Sequence, residues 1–318
     1  MPWSEASNYC EELTTGDIND WRLPNLKELW SIRDFSQGWP WVDTNYFYLV
    51  GDGSDQRQQH SWSSNRYLVE SEYQNEQVQG DPGFIVNDWT GHIKAMSGNR
   101  FVRCVSGNNY GINNFVDNGD DTVSDNATGL MWSQDDNGET INWEAALAYT
   151  EVATTADYDD WRLPNAKKLQ SIADYSGVFP AINTSMFNLT KLTNIMSQTD
   201  YPFYWSSTSN SYIDPKDEDG YWYAWMLAVG YCTDPNGYDL HGAGAVVFDT
   251  KAEDVSVSSD IEVFYHHVRL VRDGDVTNTP DGDSSTIDTD RVVKFEDGDT
   301  ENPTRPEDKA PEGEMLPI

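Results

Sequence analysis

The apolar positions at the start of the chain recur with the spacing of a helix. After the first tryptophan, apolar side chains return every three or four residues: Ala6, Tyr9, Cys10 and Leu13. This spacing predicts an amphipathic helix. A second helix is predicted to begin after Asn25, because Asn is a good N-cap and Glu28 three residues later can complete a capping box. The positions that follow give this second helix one mostly apolar side: Leu26, Leu29, Trp30 and Arg33.

The same landmarks occur twice along the chain. Three segments return in the same order, with an offset that grows from 140 to 166 residues: residues 20–25 at 160–165, residues 62–64 at 205–207, and residues 101–103 at 267–269. An internal repeat of this kind predicts two copies of one folding unit. We therefore predict a first repeat at residues 1–107, a second repeat at residues 108–275 with an insertion, and a tail at residues 276–318.

An opening hairpin is predicted for the second repeat alone. Residues 115–123 surround Asn118-Gly119, a dipeptide typical of tight hairpin turns, and residues 128–132 are predicted to follow as the second strand. The first repeat begins at its first helix. Short helices combined with short strands around the two Trp-Ser-Ser segments predict the α+β class. Trp21, Arg22 and their repeat counterparts are interpreted as architecture, with Arg satisfying carbonyls or a carboxylate.

Two of the three cysteines behave as partners. Cys10 lies in the first helix and Cys104 in the last strand of the first repeat, and their counterparts Thr150 and Leu270 show that both are absent together from the second repeat. We predict a Cys10–Cys104 disulfide, and with it an oxidising compartment outside the cell. The alternative is two buried free thiols. Cys232 is left over as a free thiol or an intermolecular link.

Several segments jointly resemble the Lcl-type C-terminal domain family, a bacterial domain named for a collagen-like surface adhesin. They are residues 102–105, 117–123, 128–132, 160–165 and 204–208, and the resemblance covers nearly all of residues 1–274. It implies tandem C-type-lectin-like domains with short twisted antiparallel sheets, related in fold to formylglycine-generating enzymes, and followed here by an extended acidic tail. A disulfide from helix to last strand is typical of C-type lectins. The resemblance also implies a secreted or surface-attached protein, and the named example binds host glycans.

The charge of the chain excludes some partners. With 54 acidic and 20 basic side chains the net charge is −34, which argues against nucleic acid, anionic lipid and sulfated glycans. The acidic side chains are expected to keep the protein soluble or, alternatively, to bind divalent cations. No stretch approaches the roughly 18–20 apolar residues of a membrane helix. No signal peptide opens the chain, so Met1 is expected to mark a processed or trimmed start.

Catalysis is not expected, because none of the five histidines lies in a recognisable catalytic motif. The reactive-cysteine chemistry of the generating enzymes does not carry over, since the chain has no matching cysteine pair. The insertion of the second repeat is the predicted binding region. Aromatic side chains there are candidates for stacking on sugars: Tyr212, Tyr221, Trp222 and Trp225. Carboxylates there are candidates for Ca²⁺: Asp214, Asp217 and Asp219. The alternatives are a satellite core beneath a long loop and a solvated acidic loop.

The tail suggests a mode of assembly. Residues 294–300 resemble the opening hairpin at residues 114–122, and residues 314–317 resemble residues 129–132. We hypothesise that the tail of one subunit adds the missing strand to the first repeat of the next, which would build a filament. The side chains expected to enter the groove are Val292, Phe295, Met315 and Leu316. The tail could instead fold back within its own chain, or be a truncated third repeat. The sequence therefore predicts a structural or adhesive surface protein, or alternatively a glycan-binding module.

Overall fold

A computed structural model describes residues 1–35, 40–50, 59–210, 222–251 and 264–274. The helices in these ranges are α1 (Trp3–Glu11), α2 (Leu26–Ser31), α3 (Trp143–Glu151) and α4 (Ala166–Ser171). The strands in these ranges are β1 (His60–Arg66), β2 (Gly83–Asn87), β3 (Ile93–Met96), β4 (Phe115–Asp117), β5 (Thr122–Asp125), β6 (Leu130–Ser133), β7 (Leu192–Thr193), β8 (Thr199–Asp200), β9 (Phe203–Asn210), β10 (Tyr223–Ala228), β11 (Val246–Thr250) and β12 (Val271–Asp273). The predicted α+β class is confirmed. No helix in the described ranges has the length and apolarity needed to cross a membrane.

The short helices α2 and α4 each begin after an asparagine cap, as predicted for α2. The Asn25 side chain accepts a hydrogen bond from the Glu28 N–H, and the Glu28 carboxylate accepts one from the Asn25 N–H, both at 2.9 Å. This is the capping box expected from the sequence. In the second repeat Asn165 accepts from the N–H of Lys168 at 2.8 Å. Because lysine has no acceptor to return, only the single cap remains there.

One six-stranded sheet contains strands of both repeats. Its order is β1-β2-β3-β11-β10-β9, and all its neighbours are antiparallel. The first repeat contributes β1 to β3 and the second contributes β9 to β11. The two halves meet where Ile93 of β3 pairs with Val246 of β11. The order is therefore symmetric about this junction, with the Trp-Ser-Ser strands β1 and β9 at the two outer edges.

The helices α2 and α4 repeat this symmetry in their contacts. Lys27 Nζ donates to the backbone oxygen of Ser171 at 2.6 Å, and Lys167 Nζ donates to that of Ser31 at 3.1 Å. Lys27 and Lys167 are counterparts at an offset of 140, and so are Ser31 and Ser171. The two repeats thus face each other through one set of contacts made twice, as two subunits of a symmetric dimer do.

The main hydrophobic core lies across this junction. Trp30 and Trp41 of the first repeat pack against Trp225 of the second, with ring centroids 6.3 and 5.9 Å from it. Gly91 lies against the same rings with a φ of +75°, and a Cβ placed on it would meet Trp225 at 3.0 Å. Only glycine combines this backbone conformation with so close an approach. Because one core is shared, the two repeats form a single packed body.

A four-stranded antiparallel sheet belongs to the second repeat alone. Its order is β12-β6-β5-β4. The predicted hairpin with its Asn118-Gly119 turn is confirmed as β4 and β5, and Gly119 has a φ of +75°. The segment expected to be its second strand is instead a third strand, β6, because β4 and β5 already pair with each other across the turn. The sheet closes over the end of the second repeat.

The predicted disulfide is also confirmed. Cys10 on α1 is bonded to Cys104. It lies in a smaller cluster of the first repeat that includes Leu23 and Trp62. The third cysteine, Cys232, is a buried free thiol, and burial raises its pKa.

Candidate functional site

The structure assigns different places to the predicted ligand-binding residues. Trp225 is 0% exposed in the shared core, so no face of its ring is accessible to a sugar. Its interpretation as a stacking residue fails because the indole fills the junction between the repeats. Trp222 is half-buried just before β10. The other predicted ligand, metal and assembly residues lie outside the described residues: Tyr212, Tyr221, Asp214, Asp217, Asp219, Val292, Phe295, Met315 and Leu316.

The described residues offer little for a metal or small ligand. Within those ranges no three His, Cys, Asp or Glu side chains meet in a way that could hold a metal ion. A cavity of about 230 Å³ in the second repeat is lined by Asp121, Asp135, Asp136 and Tyr149, among others. Asp135 and Asp136 already accept hydrogen bonds from Asn188 and Thr190. The calcium hypothesis therefore stays a prediction about the insertion.

Arg22, the arginine of the first Trp-Arg-Leu-Pro-Asn segment, has an architectural role. Arg22 binds the two oxygens of Glu28 at 2.6 Å each, and it also donates to the backbone oxygens of Gly107 and Asn108. Its own backbone pairs with Val105 through two hydrogen bonds, of 2.8 and 2.9 Å. Arg22 thereby holds the end of its repeat to α2, in agreement with the interpretation from sequence.

The two repeats end in equivalent segments, which we name the closing segments: residues 101–106 in the first repeat and residues 267–272 in the second. Their inner sides are bonded in the same way. Val105 pairs with Arg22, and its counterpart Val271 pairs with Arg162. Phe101 bonds to β1 as His267 bonds to β9. The shared sequence landmarks therefore fix one side of each closing segment.

The outer side of the second closing segment is covered by β6 and the loop after it. Leu270 accepts from the N–H of Ser133 at 3.1 Å and donates to its Oγ at 3.1 Å. Val268 accepts from the N–H of Asn137 at 3.1 Å and donates to its Oδ1 at 2.8 Å. These bonds satisfy the outward-facing backbone groups. Val268 and Leu270 are only 1% and 3% exposed, respectively.

Within the described ranges, nothing covers the outer side of the first closing segment in this way. Val102, Cys104 and Ser106 are the counterparts of Val268, Leu270 and Arg272 at an offset of 166. Among the described residues, the backbone groups of these three positions have no hydrogen-bond partner. The side chains are half-buried, and the adjacent Phe101 is 42% exposed. Unpaired backbone groups along a strand are a template for another strand.

A second segment of the first repeat is uncovered for the same reason. In the second repeat Gln134 and Asp136, which follow β6, accept hydrogen bonds from Asn188 and Thr190. The counterparts of Asn188 and Thr190 in the first repeat are Tyr48 and Val50, which are 81% and 53% exposed. We name the outer side of residues 102–106 together with residues 46–50 the open face. It is apolar and adjoins unpaired backbone, the usual signature of an interaction surface.

An arginine anchors each closing segment, but its carboxylate comes from a different place. Arg269 donates to the Asn188 backbone oxygen at 2.7 Å and lies 3.8 Å from the carboxylate of Asp136, in the loop after β6. Arg103 donates to the Tyr48 backbone oxygen at 3.2 Å and lies 3.3 Å from Asp88, at the end of β2. In the first repeat the carboxylate therefore comes from the end of a strand of the six-stranded sheet.

The surroundings of Asp136 suit a charged carboxylate. Burial alone would raise its pKa, but the hydrogen bonds from Thr190, the charge of Arg269 and the Tyr204 hydroxyl outweigh burial and lower the pKa below its usual value. Asp88 in the first repeat is held by Arg33 at 2.6 Å, and the Ser61 hydroxyl donates to it at 2.8 Å. Each anchoring arginine thus lies beside its own acid, Arg269 beside Asp136 and Arg103 beside Asp88.

The sequence alone pointed to the missing hairpin but not to the residues it leaves exposed. Residues 46–50 carry no motif of their own. Their counterpart at residues 186–190 could have been found from the offset of 140, because Phe47 matches Phe187. In the structure Arg103 lies over the Phe47 ring and Arg269 over the Phe187 ring, at 5.5 and 5.2 Å. This shared stacking contact confirms the match.

Comparison with known proteins agrees with the repeat. A family model described as the Lcl C-terminal domain matches residues 1–106 and residues 121–272. These two matches cover well over half of the chain. No curated protein and no solved structure matches it.

Proposed function

Because the chain belongs to the Lcl C-terminal domain family, in two tandem copies, we propose that it is a non-enzymatic structural or adhesive protein of the cell surface or the extracellular space. Each copy is proposed to have a C-type-lectin-like fold. Subunits join head to tail, with a strand from one subunit completing the first repeat of the next. The partners are other copies of this chain and, through adhesion, carbohydrate; nucleic acid and direct membrane insertion are not part of the proposal.

One observation carries this proposal: the same closing segment is covered by β6 in the second repeat and open in the first. An added strand would pair with the outward backbone groups of Val102, Cys104 and Ser106, while its side chains cover the open face. Backbone pairing gives such a contact affinity, and the apolar face gives it a hydrophobic contribution. Cover of this kind already exists within the molecule, in the second repeat.

The proposed donor is the tail at residues 276–318. Its Phe295 and Met315–Leu316 segments resemble the opening sheet that the first repeat lacks. A contact between the tail of one copy and the first repeat of another uses two different surfaces. Such a contact does not close on itself, so it propagates into a filament.

The disulfide supports the extracellular location. Disulfides persist in oxidising compartments and are rare in the cytosol. Cys10–Cys104 ties the open closing segment to α1. It thereby keeps the proposed acceptor strand in place on the side that β6 does not cover.

The test compares assembly of the full chain with that of the full-length variant Met315→Asp/Leu316→Asp. Light scattering and negative-stain microscopy should show filaments or large oligomers for the parent and monomers for the variant, because two charges cannot enter an apolar groove at low cost. On the acceptor side, Val50→Asp should have the same effect, and Ile195→Asp, at an exposed position of the second repeat, serves as its matched control. An assembly state unchanged by both M315D/L316D and V50D would overturn the proposal.

A further inference from the structure

We infer that the open face accepts an apolar strand end and rejects the second repeat's own opening sheet, and that the occupant is the segment Met315–Ile318 of a second copy. This inference rests on the proposed function and specifies its partner. It concerns the choice between two candidate strands of the same chain: β6 with the loop after it, and the end of the tail. The contacts of the two closing segments decide between them.

Charge disfavours a copy of β6 and its loop at the open face. In the second repeat Asp136, from the loop after β6, provides the carboxylate beside Arg269. In the first repeat Asp88 already holds that place beside Arg103, and Arg33 also binds it. A second carboxylate brought in by a copy of β6 and its loop would meet an arginine that is already paired, and it would add a like charge next to Asp88. The open face therefore needs no acid from its partner and disfavours one.

The first repeat also lacks the hydrogen-bond donors that surround Asp136 in the second. Asp136 accepts from the Thr190 N–H and hydroxyl and from the Tyr204 hydroxyl, at 2.5–2.9 Å. The counterparts of Thr190 and Tyr204 in the first repeat are Val50 and Ser61. Val50 has no hydroxyl, and the Ser61 hydroxyl donates to Asp88. An Asp136 equivalent docked here would lose all its side-chain donors, which is costly for a buried carboxylate.

The neighbouring acid meets the same obstacle. Asp135 Oδ1 accepts from the side-chain amide of Asn188 at 2.7 Å. The counterpart of Asn188 is Tyr48, whose ring is exposed in the first repeat. Exposed apolar side chains at positions 48 and 50 favour an apolar partner in place of the Asp135-Asp136 pair.

The register of β6 allows the tail to take its place. Val271 uses its own N–H and C=O on Arg162, so its partner Trp132 directs its backbone groups away from β12 and toward β5. Met131 and the position of Ser133 are the ones that bond to the closing segment. Aligning residues 314–317 with residues 129–132 puts Pro317 at the Trp132 position.

Proline is therefore compatible with the strand at that position. It lacks an N–H, and at the Trp132 position the N–H would face away from the acceptor. Ile318 would then take the Ser133 position and bond to Cys104, and Leu316 would take the Met131 position and bond to Ser106. Pro317 would also prevent a further strand from pairing on the outer side. The side chains of residues 315–318 include no carboxylate.

The experiment uses the full chain and two labelled peptides in excess, both with an amidated C-terminus so that neither adds a terminal carboxylate: one of residues 310–318 and one of residues 128–136. Fluorescence anisotropy measures binding, and light scattering measures how far each peptide shortens the assemblies. We expect the tail peptide to bind and to cap assembly, with the hairpin peptide at least tenfold weaker. The hairpin peptide with both acids replaced, D135L/D136L, should bind nearly as tightly as the tail peptide.

A converse variant tests the acceptor. The full chain carrying Tyr48→Asn/Val50→Thr restores the donors of the second repeat at two exposed positions, so its fold is not at risk. It should bind the hairpin peptide several-fold more tightly and the tail peptide more weakly. Equal binding of both peptides to the parent chain would overturn the selectivity and leave strand addition standing. Binding of neither peptide, with a chain that stays monomeric, would overturn strand addition itself.

Discussion

The closing segments of the two repeats are built alike on one side and differ on the other. Both pair with the Arg of their Trp-Arg-Leu-Pro-Asn segment, and both anchor an arginine on a backbone oxygen and a carboxylate. In the second repeat the other side is closed by β6. In the first repeat no strand of the described ranges pairs with that side. The second repeat uses the outer backbone groups of its closing segment to bind β6. In the first repeat we propose that the equivalent groups bind a partner strand.

The two segments are also held by different means. The first is tied to α1 by Cys10–Cys104, and the second has Thr150 and Leu270 at these positions. Leu270 is buried under β6, whereas Cys104 is only half-buried. The first closing segment therefore has a covalent link where the second has a covering strand. The link keeps the segment in position without occupying its outer backbone groups.

The largest expected effect comes from breaking that link. Cys10→Ala/Cys104→Ala removes a cross-link between residues 94 apart, which should lower the free energy of unfolding by about 4–5 kcal/mol in the chain-entropy model. Unfolding in guanidinium, followed by tryptophan fluorescence, measures the loss. Cys232→Ala is the control for removing a buried thiol and should cost only about 1 kcal/mol. Equal losses for the two variants would show that the disulfide does not hold the first repeat.

The next effect is in the closed segment. Trp132 is fully buried between β5 and β12, so Trp132→Ala should cost about 3–5 kcal/mol. The variant should also lose hydrogen-exchange protection at the Leu270 and Arg272 amides, because β6 no longer packs firmly on them. Ile195→Ala, at an exposed position, is expected to stay within about 0.5 kcal/mol. Unchanged protection at Leu270 would mean that β6 does not depend on this side chain.

The stability contributed by Lys27 should depend on pH differently from that contributed by its counterpart Lys167, although each lysine binds a backbone oxygen of the other repeat. Burial lowers the pKa of Lys27 from 10.5 to about 8. Between these values the unfolded chain binds a proton that the folded chain does not, so stability rises with pH through this window; below pH 8 the cost of the buried charge is fully present. Because Lys27 is partly exposed, the rise should be on the order of 2 kcal/mol.

Urea unfolding at pH 7.5, 9 and 10.5 tests this expectation. The difference in unfolding free energy between the parent and Lys27→Gln should change across the series in the direction just derived. Lys167→Gln is the matched variant, since its ammonium makes the equivalent hydrogen bond in an exposed position. If the parent and Lys27→Gln change in parallel with pH, then the Lys27 ammonium keeps its charge throughout.

Features with local causes could be predicted from the sequence. The capping box at Asn25, the Asn118-Gly119 turn and the repeat itself depend on residues close to one another or on a direct match. The Cys10–Cys104 pair followed from the joint absence of cysteine in the second repeat. The cap and the turn have their physical cause in a short pattern, whereas the repeat and the disulfide follow from matching the two copies.

Features that depend on how the repeats meet could not be predicted. Trp225 lies in an insertion rich in aromatic side chains, which favoured a binding interpretation. It is buried because Trp30 and Trp41 come from the other repeat to surround it. The pairing of Ile93 with Val246, and the exposure of Tyr48, are likewise set by tertiary contacts. No local pattern in either repeat encodes them.

The smallest effect on stability should accompany a complete effect on assembly. Tyr48 is 81% exposed, so Tyr48→Ser should change the free energy of unfolding by less than about 0.5 kcal/mol. Tyr238→Ser, at a 49% exposed tyrosine of the second repeat, is the matched control and should be equally mild. If the open face is an acceptor, only the Tyr48 variant loses assembly in light scattering. If both variants assemble as the parent does, the two closing segments differ in cover but not in function.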